Sequence, residues 1–285
     1  MTVMESNGIT TWYEVVGSGP PLLMFSPGGF NATLDNWSAL GRYKQLQMVS
    51  HLSQHYACIL FDRRESGRSG GRVERVGWDS YVSQGADLLD ELGIDRAHLM
   101  GGCAGCSVAV AFAVTRPAST LSMTLFSPAG GVRYRISQHA RFGRHLAYVA
   151  DHGLDGVVKL AADTGVPFSS DPRVGPWGPV LARDAAFAER FAAADPARYT
   201  RTVVGLARLM FDRDTVCGAE PEDLMRLDVP ALVIPGHDDS HATSAARYLE
   251  ECLQGSEYWD VPVPEQTEER VNARVLEFLA AQSKA

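Results

Sequence analysis

A chain of 285 residues with 45% hydrophobic and 21% charged side chains can bury a substantial core and has the balance of an ordinary globular protein. Its 34 acidic against 26 basic residues give a net charge of −8, which argues against a broad nucleic-acid surface and points to a small-molecule rather than a polymer partner. The start of the chain lacks a basic segment followed by a long apolar run, and no stretch is long and apolar enough to span a membrane, so neither a secretory signal nor a membrane partner is read.

Residues 9–16 alternate in the manner of a strand, and Gly17-Ser18-Gly19-Pro20 turns the chain. The apolar run Pro21-Leu22-Leu23-Met24-Phe25 reads as a buried parallel strand. It leads into Ser26-Pro27-Gly28-Gly29-Phe30-Asn31, where the amide of Gly29 or Phe30 would face a developing oxyanion; the same Pro-Gly-Gly also makes a tight turn in any setting. Residues 37–54 predict a helix and residues 56–62 the next buried strand, followed by Asp62-Arg63-Arg64-Glu65-Ser66-Gly67-Arg68-Ser69. Arg63 and Arg64 there suit either contact with an anionic substrate or the ion pairs of a loop. The spacing of Tyr81, Leu88, Leu89 and Leu92 predicts a helix over 78–92, closed by Gly93, before a strand over 97–102.

That strand ends at Gly101-Gly102-Cys103-Ala104-Gly105-Cys106, and an alanine-rich helix follows at once over 107–115. Small-x-Cys-x-small between a strand and a helix reads as a nucleophile elbow, in which missing side chains let the two elements pack closely. A thiol at a helix N-terminus faces unpaired amides and the positive end of the dipole, so the pKa of Cys103 should fall and the Ala104 amide becomes a second oxyanion donor. A buried structural thiol would carry the same local sequence. Cys106, one turn on, suits packing. The five cysteines, at positions 58, 103, 106, 217 and 252, form an odd set without paired spacing. Free thiols in a reducing cytoplasm are expected, with no metal and no cofactor.

Residues 121–126 form one more short strand, and the strand and helix succession to this point argues for a parallel sheet with crossover helices. Between 129 and 228 the rhythm breaks into helical patterns, such as 185–194 and 202–211, with no convincing buried strand. This stretch is expected to be a mobile helical cap inserted in a core made of residues 1–128 and 229–285. His139, His145 and His152 lie in it, either lining a pocket or solvated. The sheet resumes over 230–236, with a helix over 243–253, a strand over 257–261 and a last helix over 268–281.

Four segments together resemble the α/β-hydrolase superfamily over nearly the whole chain: Ser26-Pro27-Gly28-Gly29, Asp62-x-Arg64-x-x-Gly67-x-Ser69, Gly101-x-Cys103-x-Gly105, and Gly236-x-x-Asp239. The resemblance implies an α/β-hydrolase fold, with a mostly parallel eight-stranded sheet, crossover helices and a helical cap over a pocket. It also implies nucleophile, acid and histidine in that order along the chain. Cys103 stands where most members carry serine, and no histidine follows His241. The base must therefore come from elsewhere. His241 in Gly236-His237-Asp238-Asp239-Ser240-His241 is the leading replacement and His237 the second, with Asp238 or Asp239 orienting the ring. A surface histidine at a helix start, and carboxylates that merely cap that helix, would read the same way.

These residues support several activities. The first is hydrolysis of an activated carbonyl, whether ester, lactone or thioester, through a Cys103 acyl-enzyme. An acyltransferase or cyclase would use the same intermediate. A lyase or carbon–carbon bond enzyme, and a ligand-binding protein without catalysis, would use the same scaffold.

Overall fold

The computed structural model describes residues 2–213 and 218–283; Cys217 lies outside them. The apolar runs assemble into one eight-stranded sheet, ordered β1 (Thr2–Ser6), β2 (Ile9–Val16), β4 (Ala57–Phe61), β3 (Pro21–Phe25), β5 (Ala97–Gly102), β6 (Thr120–Phe126), β7 (Ala231–Ile234) and β8 (Glu257–Tyr258). β2 runs antiparallel to β1 and to β4, and every other neighbouring pair is parallel. β2 alternates buried with partly exposed residues, whereas β5 and β7 are buried throughout because helices cover both faces. Along β3, Leu23 and Phe25 join one core while Leu22 and Met24 join the other.

Two predicted elements differ in detail, and one strand lies outside the prediction. The helix expected over 37–54 is three short helices, Asn36–Ala39, Gly41–Leu46 and Met48–Leu52. Leu40 is extended and Gln47 has φ 46°, and these breaks let Trp37 pack on Tyr43 and Tyr43 on Phe126 of β6. The strand expected over 257–261 stops at Tyr258, since Pro262 and Pro264 cannot donate to a ladder and the chain turns through Val263–Glu265 instead. β1 adds an edge strand that the sequence reading did not include, with Met4 and Ser6 buried on alternate positions.

Between β6 and β7 the described chain is helical. The helix Val132–Thr164 is bent at Gly153, whose φ is 67°, and is followed by Gly178–Arg183, Ala185–Ala192, Pro196–Phe211 and Pro221–Leu224. The fourth of these begins earlier than residue 202 because Asp195 caps it, accepting from the Arg198 amide at 2.6 Å, and Pro196 fits its first turn. Phe30, from the loop after β3, anchors this insertion to the sheet: its ring centroid lies 5.5 Å from Phe142 and 5.7 Å from Phe168, both edge to face. His145 is buried between the Arg173 carbonyl oxygen at 2.9 Å and the Tyr199 hydroxyl at 2.6 Å. His152 stacks on Tyr148, and His139 meets the Phe211 carbonyl and Asp212. Of the three, only His145 is buried in the insertion; His139 is partly exposed and His152 exposed to solvent.

Candidate active site

β5 ends at Gly102 and its helix begins at Gly105, so Cys103 and Ala104 make the entire turn. Cys103 takes φ 53°, a left-handed conformation that costs a non-glycine residue roughly 1–2 kcal/mol and is sustained only by its surroundings. Those surroundings are backbone. A Cβ on Gly101 would lie 2.6 Å from the Cys106 Cα, and one on Gly105 would overlap the Phe25 carbonyl oxygen at the end of β3. The Cys103 amide donates to the Phe126 carbonyl oxygen at 3.2 Å, and its carbonyl accepts from Ala129 at 3.2 Å.

Burial alone would push the Cys103 thiol up. The His241 side chain and the backbone amides of Ala104 and Gly28 outweigh that and bring it below the ordinary thiol value. Ala104 is thus where the elbow motif puts it. From the loop after β3 the Gly28 amide also acts on the Cys103 sulfur, next to the expected Gly29 and Phe30; Gly29 offers its carbonyl to Arg63, and the Phe30 ring turns into the insertion. Asn36 fixes this loop by donating to the Pro27 and Asn31 carbonyl oxygens at 2.7 and 2.6 Å. The Asp62 segment supports it from behind, with Asp62 accepting from the Leu34 amide and Ser66 from the Ala32 amide. Arg63 lies over the Tyr81 ring, and Arg64 is buried against Glu65 and Glu74. Both arginines hold the loop and neither lines the cavities at Cys103.

His241 reaches the same place from the turn after β7. That turn is pinned across the sheet end, where the Gly130 amide donates to the Ser240 carbonyl oxygen at 3.0 Å and the Ala242 amide to the Gly130 carbonyl oxygen at 3.3 Å. The ring Nδ1 sits 2.9 Å from both carboxylate oxygens of Asp238, which also accepts from the Ser240 and His241 amides. A donating Nδ1–H leaves Nε2 as the proton-exchanging atom. Nε2 is buried with no partner of ordinary hydrogen-bond geometry, and the Cys103 thiol is the group that interacts with it. Burial opposes charge on the ring, but Cys103 and then Asp238 outweigh it and raise His241 to about 9. Partial burial likewise works against the Asp238 carboxylate, yet the His241 ring and the two amides hold it below its ordinary value.

Asp239 is not in the constellation. Its carboxylate pairs with Arg133 at 2.6 Å with 76% of the side chain exposed, because the turn alternates the two acids to opposite sides. His237 turns to Thr243, 3.2 Å away. The loop after β8 that lacks a histidine is closed by buried Gln266, which donates to the Pro235 and Val261 carbonyl oxygens.

Two cavities meet at Cys103 and His241. The larger, about 380 Å³, runs past Arg42, Tyr43, Ser127 and Val263. The smaller, about 230 Å³, runs under the insertion past Phe30, Tyr134, Gln138, Arg141 and Phe168. The sequence reading missed Tyr43, whose buried hydroxyl is unpartnered and raised by burial and by the charge of Cys103, and missed Arg42 and Arg141. The break at Leu40 that presents Arg42 and Tyr43 is signalled locally only by Gly41, whose φ is 43°, in a stretch that otherwise reads as continuous helix. Among the described residues no group of three or more His, Cys, Asp and Glu is placed to hold a metal, and no helix is long and apolar enough to cross a membrane.

A family model described as the alpha/beta hydrolase fold matches residues 21–159. The chain is 32% identical over 126 residues to the dihydrolipoyllysine-residue acetyltransferase component of the acetoin cleaving system of Cupriavidus necator, a match covering 44% of this chain and 31% of that one. Matches to four such curated relatives span only 30% to 39% of their lengths. Among solved structures, the meta-cleavage product hydrolase of Pseudomonas fluorescens IP01 superimposes with a TM-score of 0.61 at 20% identity, over 99% of this chain and 98% of that one. The enol-lactonase of Burkholderia xenovorans LB400 does so with 0.62 at 21%, over 98% and 100%. The chain has the α/β-hydrolase fold.

Proposed function

We propose that this chain is a hydrolase of activated acyl compounds, esters, lactones or thioesters, that works through an acyl-enzyme on Cys103. The observation that carries the reading is the His241 ring, tied to Asp238 through Nδ1 and left with a buried Nε2 beside a thiol of lowered pKa. Such a pair rests as thiolate and imidazolium near neutral pH.

The thiolate attacks the carbonyl carbon, and the oxygen that gains the charge is received by the Ala104 and Gly28 amides. As the carbonyl re-forms, the bond to the leaving group breaks and His241 gives that group the Nε2 proton. The neutral imidazole next takes a proton from water, whose oxygen attacks the thioester carbon. Collapse of that adduct releases the acid and restores thiolate and imidazolium, so protons and charge balance over the cycle. Asp238 keeps the ring oriented and favours its charged form. The helical insertion, residues 129–228, acts as the lid over the smaller cavity.

Incubation with a panel of p-nitrophenyl esters and acyl thioesters, quenched in acid and read by intact-protein mass spectrometry, should show one acyl mass on the wild type. None should appear on Cys103→Ala. Turnover that survives in Cys103→Ala would overturn the reading. Acyl mass that accumulates but drains only to an added amine or thiol would replace hydrolysis with acyl transfer.

A further inference from the structure

The chain carries a net charge of −8, yet the walls around Cys103 are cationic. Among the described residues lining the two cavities, Asp238 is the one carboxylate, and it is already bound to His241. Arg42 stands in the larger cavity and Arg141 in the smaller. Many other arginines pair with acids, such as Arg64 with Glu65 and Arg274 with Glu257. Among the described residues Arg141 hydrogen-bonds only to neutral carbonyl oxygens, whereas Arg42 bonds to Gln266 and also feels the charge of Asp238 in its cavity. A half-buried guanidinium beside a reaction centre, with no counter-charge, is costly unless something that binds there supplies the charge.

The two are not equivalent. Arg42 commits Nη2 to Gln266, donating to its carbonyl at 3.3 Å and its side-chain oxygen at 3.2 Å. Half of its side-on edge is therefore used. Arg141 commits Nη1 alone, to the Ser169 carbonyl at 2.8 Å and the Phe168 carbonyl at 3.4 Å. Its Nε and Nη2 carry no bond among the described residues, and this edge is the fork that matches the two oxygens of a carboxylate. The guanidinium is steadied from one side by those carbonyls and lies 5.9 Å from the Phe168 ring centroid. Gln138, one helical turn before it, lines the same cavity.

We propose that the substrate carries a carboxylate and that Arg141 binds it through its Nε and Nη2 edge, in the smaller cavity beside Cys103. The proposal rests on the reading of these cavities as the reaction site, and it narrows the substrate class to acyl compounds bearing an acid group. The rest of that cavity, with Phe30, Tyr134 and Phe168, suits an apolar link between the acid and the reacting carbonyl. A single fork and one short cavity favour the two oxygens of a carboxylate over a phosphate, which needs more donors.

The test uses alkylation and needs no turnover. N-iodoacetyl derivatives of glycine, β-alanine and 4-aminobutyrate are compared with their neutral N-methylamides, so the acid is offered at three reaches. In each case the Cys103 thiolate displaces iodide and forms a thioether, read by peptide mass spectrometry. For at least one chain length the acid-to-amide rate ratio should exceed that of glutathione about tenfold, the size expected of a charge-assisted bidentate contact. Arg141→Gln should remove most of that excess, Arg141→Lys should keep part of it, and Arg42→Gln should keep most. Dividing by the amide rate cancels any change in thiolate content or fold. A ratio no higher than that of glutathione at every length, an unchanged ratio in Arg141→Gln, or loss in Arg42→Gln instead would overturn the proposal. Alkylation as expected from a protein that hydrolyses no ester or thioester would sink the hydrolase reading and leave the carboxylate site standing.

Discussion

Cys103 and His241 come to one cavity from two turns built in opposite ways. The Cys103 turn is closed by steric necessity: Gly101 and Gly105 each face backbone atoms that no side chain could share, and the strained φ of Cys103 follows from that packing. The His241 turn is held by polar contacts, to Asp238 within itself and to Gly130 across the sheet end, and its acid is 59% exposed. Position is fixed at Cys103 by volume and at His241 by hydrogen bonds. The first kind of constraint resists substitution absolutely, while the second yields by degrees.

The largest expected effect is therefore at Gly105. A Cβ there overlaps the Phe25 carbonyl oxygen, so β3 and the Gly105–Thr115 helix must separate, and Gly105→Ala should cost about 3 kcal/mol or more as overpacking against backbone. Urea denaturation would show this as a lowered midpoint, with turnover lost as well. A midpoint within experimental error of the wild type would mean that the elbow is less tightly locked than the packing implies.

His241→Ala comes next and should act on chemistry rather than stability. Turnover should fall by about 10²- to 10⁴-fold, the range for a positioned acid or base. Cys103 alkylation by a neutral reagent should fall less, since the Ala104 and Gly28 amides still favour the thiolate. Near-wild-type turnover would remove His241 from the mechanism. Gly236→Ala probes the same side chain without deleting it. Its Cβ would stand 2.5 Å from the His241 Cβ, an atom that no side-chain rotation moves, so the turn must shift and carry the ring with it. Midpoint stability should change by about 1 kcal/mol while turnover drops roughly 10²-fold, the cost of about 1 Å of misplacement.

The same contrast explains what could be read from the sequence. Gly101-x-Cys103-x-Gly105 was legible because close backbone packing leaves only small residues possible, and buried parallel strands such as β3 and β7 were legible as unbroken apolar runs. The choice between Asp238 and Asp239 was not, since adjacent acids in one turn differ only in which side of the chain they leave. The approach of the Gly28 amide to Cys103 was not legible either, because a Pro-Gly-Gly run can turn at any of its members, and Asn36, eight positions on, fixes how it turns. Arg42 and Arg141 carry no motif. The meaning of Arg141 lies in the absence of a nearby acid, which becomes visible only once the fold sets its neighbours.

The smallest effects, and the finest test of the comparison, are at the paired acids. Asp238 raises the His241 pKa and Cys103 raises it more, so the pH profile of acylation should climb as the thiolate forms, below the ordinary thiol range, and descend near 9 as His241 loses its proton. Asp238→Asn removes one of the two charges that favour the imidazolium. The descending limb should then move to lower pH, while the Cys103 contribution keeps it above the ordinary histidine value of about 6.5. With Asp238 more than half exposed and screened by water, the accompanying loss in turnover at neutral pH should be about tenfold rather than the larger loss expected of a buried acid. Asp239→Asn should move neither the limb nor the rate, because its carboxylate faces solvent and Arg133. If Asp239→Asn shifts the descending limb and Asp238→Asn does not, the turn after β7 presents the other acid to the ring, and the hydrogen bonds that hold His241 must be redrawn.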